Sequence, residues 1–303
     1  MGNVKKDSLG DRQKQYEKVQ EHLLVPKMPF IIRVDGKAFH TYTRGFVKPF
    51  DSVMGAAMKR TMKSLCEDIP GAVLGYTQSD EITIVCKYTD IIKSQAWFSG
   101  RVEKIIAITA SKATKYFNKY FREEAEGFKS KYNELVKEGT ILRCKYGLDS
   151  KIVEDFDATH GDELSALSKL LNVYTKKLGE AEFDSRVFNI PEWECINNVI
   201  WRQQDCIRNS VEMVGHANFS AKQLHKVNCE GIKNMLKQEK GIDWHTDFTQ
   251  YQKVGAFCYK CYKNVNVCGV SKQRSTWLVT DNEELIVQDN RGWFSTVTGL
   301  KED

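Results

Sequence analysis

The chain has 303 residues, of which 41% are hydrophobic and 11% aromatic. This content is enough to bury a large core, and it excludes a chain that is disordered throughout. Lys and Arg number 45 against 40 Asp and Glu, and the resulting net charge of +5 is too small either to establish or to exclude a nucleic-acid partner.

The first half of the chain predicts a capped helix followed by five elements. Ser8 and Asp11 have the spacing of a capping box, so a helix is expected to begin there. Apolar β-branched runs predict strands, and apolar residues spaced three and four apart predict helices. In chain order the elements are a strand at 30–34, a helix at 51–66, strands at 72–77 and 82–86, and a helix at 91–121.

One more strand would complete a split βαββαβ unit, and residues 186–190 supply it. The sequence therefore predicts an α+β fold of the ferredoxin-like type. A charged segment at 122–184, with a helix at 163–178, is expected to be a surface insertion. This divides the chain into a core at 1–121, the insertion, and a C-terminal region at 185–303 that completes the sheet.

The C-terminal region predicts helices at 192–214 and 226–238 and three strands at 256–267, 276–280 and 285–288. Residues 281–284 are polar and are expected to form the turn between the last two strands. Basic and aromatic residues interleave from Trp201 to Lys240. They would suit contacts with RNA backbone and bases, or equally an ordinary pair of amphipathic helices with solvated lysines.

The cysteines indicate the redox compartment. Nine cysteines at irregular spacing do not form a disulfide pattern, and residues 1–22 are polar and charged. We therefore expect free thiols in the cytoplasm or another reducing intracellular compartment. Cys258 and Cys261 lack the second pair that a structural zinc site needs. No apolar run of about 18 residues is present, so no membrane-spanning helix is expected.

Asp35 and Asp80 are the strongest candidates for chemistry. In a split βαββαβ sheet the first strand lies beside the third, so the end of the first strand and the hairpin turn meet at one rim. Two close carboxylates repel each other unless a cation lies between them. Magnesium suits such a pair of oxygen ligands, and two ions could flank a reacting phosphorus. For either aspartate alone, ordinary turn chemistry is the simpler explanation.

Other residues could hold phosphate. Gly36 follows a strand, so residues 36–40 could present successive N–H groups, although the spacing is not that of a P-loop. Lys48 could reach a phosphate, and Asp51 is placed to cap the following helix. Arg101 and Lys104 lie three residues apart and could hold a second anion, or they could form a solvated basic face.

Three motifs together resemble the tRNA-histidine guanylyltransferase family. They are Arg-Val-Asp-Gly-Lys-Ala-Phe-His at 33–40, Lys-Pro-Phe-Asp at 48–51 and Gly-Tyr-Thr-Gln-Ser-Asp-Glu at 75–81. Residues 9–12 and 220–225 resemble further family signatures. The resemblance implies a polymerase palm that adds nucleotides to the 5′ end of tRNA in the 3′–5′ direction. It also implies 5′ activation with ATP, GTP or another nucleoside triphosphate, and assembly as a homotetramer.

The resemblance also assigns roles to residues. Asp35 and Asp80 would ligate two Mg²⁺ ions, together with the carbonyl of Gly36. Arg101 and Lys104 would hold a second triphosphate. The first nucleoside triphosphate would be bound by Gly36, Lys37, Ala38, Phe39, His40, Lys48, Asp51 and Ser79.

One departure concerns the natural substrate. The resemblance implies that enzymes dedicated to tRNA-histidine have a stretch beginning with His after Trp-Arg-Gln. In this sequence Ile207 stands at the position of that histidine. The chain thus looks more like the guanylyltransferase-like branch, which is linked with template-dependent repair of 5′-truncated tRNAs. A strict tRNA-histidine enzyme, a palm-type nucleotide cyclase and a non-catalytic RNA-binding module remain alternatives.

Overall fold

A computed structural model describes residues 8–88, 93–148, 150–267, 270–280 and 285–301. None of the helices in these parts of the chain has the length and apolar content that crossing a membrane requires. The helices are α1 Leu9–Lys18, α2 Phe39–Tyr42, α3 Ser52–Asp68, α4 Val102–Tyr146, α5 Lys151–Lys177, α6 Glu194–Asn218, α7 Cys229–Met235, α8 Gln250–Val254 and α9 Arg291–Thr298. The strands are β1 Phe30–Gly36, β2 Ala72–Gln78, β3 Glu81–Cys86, β4 Phe183–Asn189, β5 Ala256–Val267 and β6 Val270–Thr280.

The six strands form one sheet in the order β4-β1-β3-β2-β5-β6, and every neighbouring pair is antiparallel. The first four strands have the connectivity and order of the predicted split βαββαβ unit, so the α+β fold class is confirmed. The β5–β6 hairpin extends this unit at the edge formed by β2.

Helices cover both faces of the sheet. On one face α3 and α4 pack on β1 and β3 through side chains such as Met58, Met62, Ile84, Ile105 and Phe117. On the other face α6 and α9 pack on β2 and β5 through Leu74, Tyr76, Val199, Phe257 and Phe294. Because both faces of β1, β2 and β3 are buried, these strands read as nearly continuous apolar runs.

Most of the segment at 122–184 forms a helical hairpin, in which helix extends well beyond the predicted 163–178. Helix α4 continues through residue 121 to Tyr146, and α5 returns alongside it to Lys177. Lys131 and Glu163 join the two helices at 3.0 Å, and Arg143 contacts Asp157. The base of the hairpin belongs to the core, since Tyr174 is only 1% exposed.

The long helix begins later than the sequence indicates. Phe98 and Ser99 have φ values of 50° and 55°, in the left-handed region that does not continue an α-helix. Residues 97–100 therefore form a tight turn, and α4 starts at Val102. The predicted start at residue 91 lies outside the described residues, but the prediction of helix over 93–101 was wrong.

The end of the chain also differs from the prediction. Residues 285–288 are not a strand, because the side chain of Gln203 takes the place of a partner strand. Its Nε2 donates to the carbonyl of Leu285 at 2.7 Å, and its Oε1 accepts from Val287 N–H at 2.8 Å. Helix α9 was not predicted, since two Thr, one Val, one Gly and one Ser among its eight residues have low helix propensity. The predicted turn at 281–284 lies outside the described residues.

Candidate active site

Asp35 and Asp80 lie together at one rim of the sheet. Asp35 is the register partner of Glu81, and Gly36 N–H donates to the carbonyl of Asp80 at 3.1 Å. The pKa of the Asp80 carboxyl is raised, mainly by burial and further by the negative charge of Asp35. The first strand and the hairpin turn therefore meet as their positions in the sheet require.

The pair lacks a full counter-charge from the described residues. Arg186 of β4 reaches Asp35 Oδ2 at 3.8 Å, but its guanidinium is closer to Asp184, at 3.3 Å. Asp80 has no ion pair in the described parts of the chain and accepts a hydrogen bond from Ser79 Oγ at 3.0 Å. Two carboxylates in this state fit a divalent cation, whose remaining positions would be left for carbonyl, water and phosphate oxygens.

A pocket of about 540 Å³ opens beside the two carboxylates. It is large enough for a nucleotide-sized ligand. Most of the residues that the resemblance assigns to the first triphosphate line it, namely Gly36, Ala38, Phe39, His40, Lys48, Asp51 and Ser79.

The loop after β1 folds tightly against the core. A Cβ on Gly36 would lie 2.3 Å from the Phe39 ring, so the close approach requires glycine. Ala38 has a φ of 53°, which turns the chain into α2. The N–H groups of Ala38, Phe39 and His40 begin that helix, where N–H groups lack partners within the helix. They are therefore available to a phosphate at the pocket wall.

Lys37 does not line the pocket. Its N–H donates to the carbonyl of Glu182 at 2.9 Å, and its Nζ pairs with the Glu182 carboxylate at 2.6 Å. Both side chains are about two-thirds exposed, so this ion pair can open at little cost. Lys48, by contrast, is exposed and unpaired among the described residues, and it lines the pocket.

Asp51 caps helix α3, as predicted. Its Oδ1 accepts from Met54 N–H at 2.9 Å. Its Oδ2 accepts from Val47 N–H at 3.0 Å and from the Tyr174 hydroxyl at 2.7 Å. The carboxylate is thus held on both oxygens while it faces the pocket.

Arg101 and Lys104 are not brought to the carboxylate pair. Arg101 bridges to Leu23 and pairs with Glu21 at 2.5 Å, next to the chain that enters β1. Within one chain they lie at the end of the sheet where β1 begins and β3 ends. The carboxylates lie at the opposite end.

Helix α6 forms a further wall of the pocket; the sequence predicts this helix but not its place beside the pocket. Its contributors are Cys206, Asn209, Ser210 and Met213, and Tyr251 and Gln252 follow from α8. The basic and aromatic stretch at 201–240 divides into two groups. Arg202 and Phe219 are buried, whereas Trp201, Arg208, His216 and Lys222 are exposed.

Arg202 forms a buried ion pair directly behind Asp80. Its Nε and Nη2 donate to the two carboxylate oxygens of Glu81 at 2.7 and 2.6 Å, and Nη2 also reaches Asp205 at 3.0 Å. Arg202 and Glu81 are each only 8% exposed. The sequence carries no signal for this pair, because Glu81 directly precedes the predicted strand at 82–86 and reads as part of the polar turn.

Comparisons with known proteins show which family the chain resembles. The family model for tRNAHis guanylyltransferase matches residues 10–191. A bacterial tRNA(His) guanylyltransferase-like protein solved in complex with ATP is 33% identical, with a TM-score of 0.69 over 96% of this chain and 99% of that chain. A complex with GTP gives 31% identity and a TM-score of 0.68 over 97% of this chain and 100% of that chain.

Two further relatives show how far the similarity extends in sequence. An uncharacterised protein of Acanthamoeba polyphaga mimivirus is 27% identical over 86% of this chain and 80% of its own length. The tRNA(His) guanylyltransferase of Schizosaccharomyces pombe is 31% identical over 34% of this chain and 38% of its own length. The chain therefore belongs to the tRNAHis guanylyltransferase family, which is a family of nucleotidyltransferases.

Proposed function

We propose that this chain adds nucleotides to the 5′ end of tRNA in the 3′–5′ direction, with magnesium as cofactor. The observation that carries the proposal is the partly buried pair of Asp35 and Asp80 at the mouth of a nucleotide-sized pocket. The ATP and GTP complexes of the bacterial relatives support a triphosphate as the occupant of this pocket.

The metal would be held by Asp35, Asp80 and the carbonyl of Gly36, with two Mg²⁺ ions in the complete site. Bound there, magnesium supplies charge that stabilises the attacking and leaving oxygens of a phosphoryl transfer. The carboxylates are carried by β1 and by the β2–β3 turn, so their positions are fixed before substrate binds.

The first triphosphate would be bound by residues 36–40 and by Lys48, Asp51 and Ser79. The N–H groups at the start of α2 and the Lys48 ammonium would take phosphate oxygens. Lys37 joins them after leaving Glu182. The 5′ phosphate of the RNA is activated by a nucleotidyl group from ATP or GTP, with release of pyrophosphate, or the RNA already carries a 5′ triphosphate. The 3′-hydroxyl of the incoming nucleotide then loses its proton to water and attacks the 5′ α-phosphorus, which releases the activating nucleoside monophosphate or pyrophosphate. The basic groups stabilise the developing charge without transferring protons.

Arg101 and Lys104 would hold the second triphosphate. Because they lie at the other end of the sheet in one chain, this role requires a second copy that brings its own Arg101 beside the pocket. We therefore propose a homotetramer, as the family resemblance implies. Light scattering of the protein at working concentration tests it, and a monomer would remove these two residues from the site.

We further propose repair of 5′-truncated tRNA as the natural task. Ile207 lies half-buried beside the apolar cluster that contains Trp244. It therefore offers no imidazole at the position that, by the family resemblance, is histidine in enzymes dedicated to tRNA-histidine. Exposed Trp201, Arg208, His216 and Lys222 would contact the RNA.

The test is extension of a 5′-truncated tRNA that bears a templating 3′ strand, with labelled nucleotide and magnesium. We expect templated addition that stops when the metal is chelated. Extension of full-length tRNA-histidine alone would contradict the repair assignment. A cyclic product from ATP or GTP without RNA would favour the cyclase, and tRNA binding without any incorporation would favour a non-catalytic module.

A further inference from the structure

Helix α5 ends against the segment that follows β1, whose residues line the pocket. The Tyr42 hydroxyl donates to the carbonyl of Lys177 at 3.1 Å, and Lys177 Nζ donates to the carbonyl of Thr41 at 3.3 Å. Gly45 has a φ of 87°, and a Cβ there would lie 3.0 Å from Val173. The last turns of α5 therefore contact the loop at successive positions.

Tyr174 makes the most specific of these contacts. Its hydroxyl donates to Asp51 Oδ2 at 2.7 Å, and the same oxygen accepts from Val47 N–H at 3.0 Å. Its ring meets Phe46 and Phe121 edge-on, with centroids 5.2 and 5.5 Å away. Burial and the Asp51 acceptor raise the pKa of the phenol, so the hydroxyl remains a donor at neutral pH.

These contacts join the helical hairpin to the segment that carries Lys48. The Asp51 carboxylate closes the segment from Val47 to Asp51, because it accepts from Val47 N–H. The same carboxylate accepts from the Tyr174 hydroxyl of α5 and from Met54 N–H of α3. Both Lys48 and Asp51 line the pocket. A shift of the carboxylate would therefore move two groups of the pocket wall together.

We propose that Tyr174 is a positioning residue, and that through the Tyr174–Asp51 hydrogen bond helix α5 sets the affinity of the pocket for nucleoside triphosphates. This inference rests on the proposed function of the pocket. It gives the hairpin at 122–184 a task in nucleotide binding. It also separates Tyr174 from the catalytic carboxylates, which it does not touch.

The test is equilibrium binding of GTP to the full-length Tyr174→Phe variant, without RNA, together with kcat and KM for nucleotide addition. The variant keeps the ring packing and removes the hydroxyl. We expect Kd and KM to rise about tenfold, since a hydrogen bond to a charged group is lost, with kcat within about twofold. Tyr146→Phe, at the exposed end of α4, is the matched control and should leave Kd unchanged.

A double-mutant cycle with Asp51→Asn distinguishes positioning from general loosening of the fold. In the Asp51→Asn background, Tyr174→Phe should have little further effect on Kd. Equal effects in both backgrounds, or an unchanged Kd in Tyr174→Phe, would overturn the inference. Should Tyr174→Phe lose its fold, Lys177→Met probes the neighbouring contact to Thr41, and an unchanged Kd there would likewise count against α5.

The outcomes also separate the two proposals. If the wild-type protein and Tyr174→Phe extend RNA and bind GTP equally well, only the role of Tyr174 is refuted. A wild-type protein that binds no GTP refutes the proposed function and this inference with it.

Discussion

The two ends of the central sheet differ in whether their charged side chains are paired. At the end carrying Asp35 and Asp80, the carboxylates lack a full counter-charge from the described residues, and a pocket opens beside them. At the opposite end, Arg101 pairs with Glu21, and Lys112 pairs with Asp68 at 2.6 Å. Charge that is matched within the fold adds a little stability, whereas charge left unmatched on rigid strands is available to a ligand.

The largest effect should come from removing the unmatched charge. Asp35→Ala and Asp80→Ala are expected to lower nucleotide addition by about a thousandfold or more, because each removes a proposed ligand of the magnesium that would stabilise the reacting phosphate. Single-turnover extension of truncated tRNA measures it. Asp289→Ala, in an exposed turn, is the control and should remain active. Activity of either variant at saturating magnesium would contradict the proposal that unpaired carboxylates at this end of the sheet are needed for catalysis.

The next effect concerns stability behind the rim. Arg202→Met leaves Glu81 buried without its cation, which should cost about 3–5 kcal/mol of unfolding free energy. Urea denaturation followed by far-UV circular dichroism gives the value. Arg208→Met is matched, because Arg208 contacts the same Asp205 from an exposed position, and should change stability by less than about 1 kcal/mol. Similar losses in both variants would mean that burial does not decide the outcome.

A third prediction compares the contributions of Lys48 and Arg101, one at each end of the sheet, to GTP binding. Lys48→Ala should weaken GTP binding about tenfold in the absence of RNA, through loss of a charged contact to phosphate. Arg101→Ala should bind that first GTP nearly as well as wild type and lose activity only in the complete reaction. Isothermal titration followed by an extension assay measures both. Equal weakening of GTP binding would indicate that the two ends act on the same nucleotide.

The smallest effect concerns acid stability at the far end. Lys112 and Tyr116 donate to Asp68 and outweigh its partial burial, so the pKa of that carboxyl lies below its usual value of 3.8. A lowered pKa stabilises the fold above pH 3.8, and this contribution is lost as pH falls through the folded-state pKa. The difference in urea midpoint between wild type and Asp68→Asn should therefore shrink between about pH 5 and pH 2. A difference independent of pH would exclude the carboxylate charge as its cause.

Much of the fold could be predicted because its signals are local. The capping box of Ser8 and Asp11 is present, and β5 spans the predicted residues 256–267. The exceptions are places where distant groups override local pattern. Residues 285–288 have the composition of a strand, yet the Gln203 side chain occupies their backbone groups.

The candidate site divides in the same way. Asp35 and Asp80 follow from strand order, because their separation in space depends only on the topology of the sheet. The bond from Arg202 to Glu81 joins residues 121 apart, and that from Tyr174 to Asp51 joins residues 123 apart. Neither could be predicted, since helical spacing does not specify which distant strand a helix meets.

The length of α4 has a consequence for how a large substrate arrives. Its 45 residues extend for about 68 Å at the usual rise per residue, whereas a seven-residue strand such as β1 extends for about 23 Å. Phe117 and Phe121 of α4 pack on the aromatic rings beside the pocket, so the rest of the helix projects beyond that rim. A mononucleotide can diffuse in from several directions. A polynucleotide that approaches this rim also meets the projecting part of α4, which leaves it fewer directions of approach than a mononucleotide has.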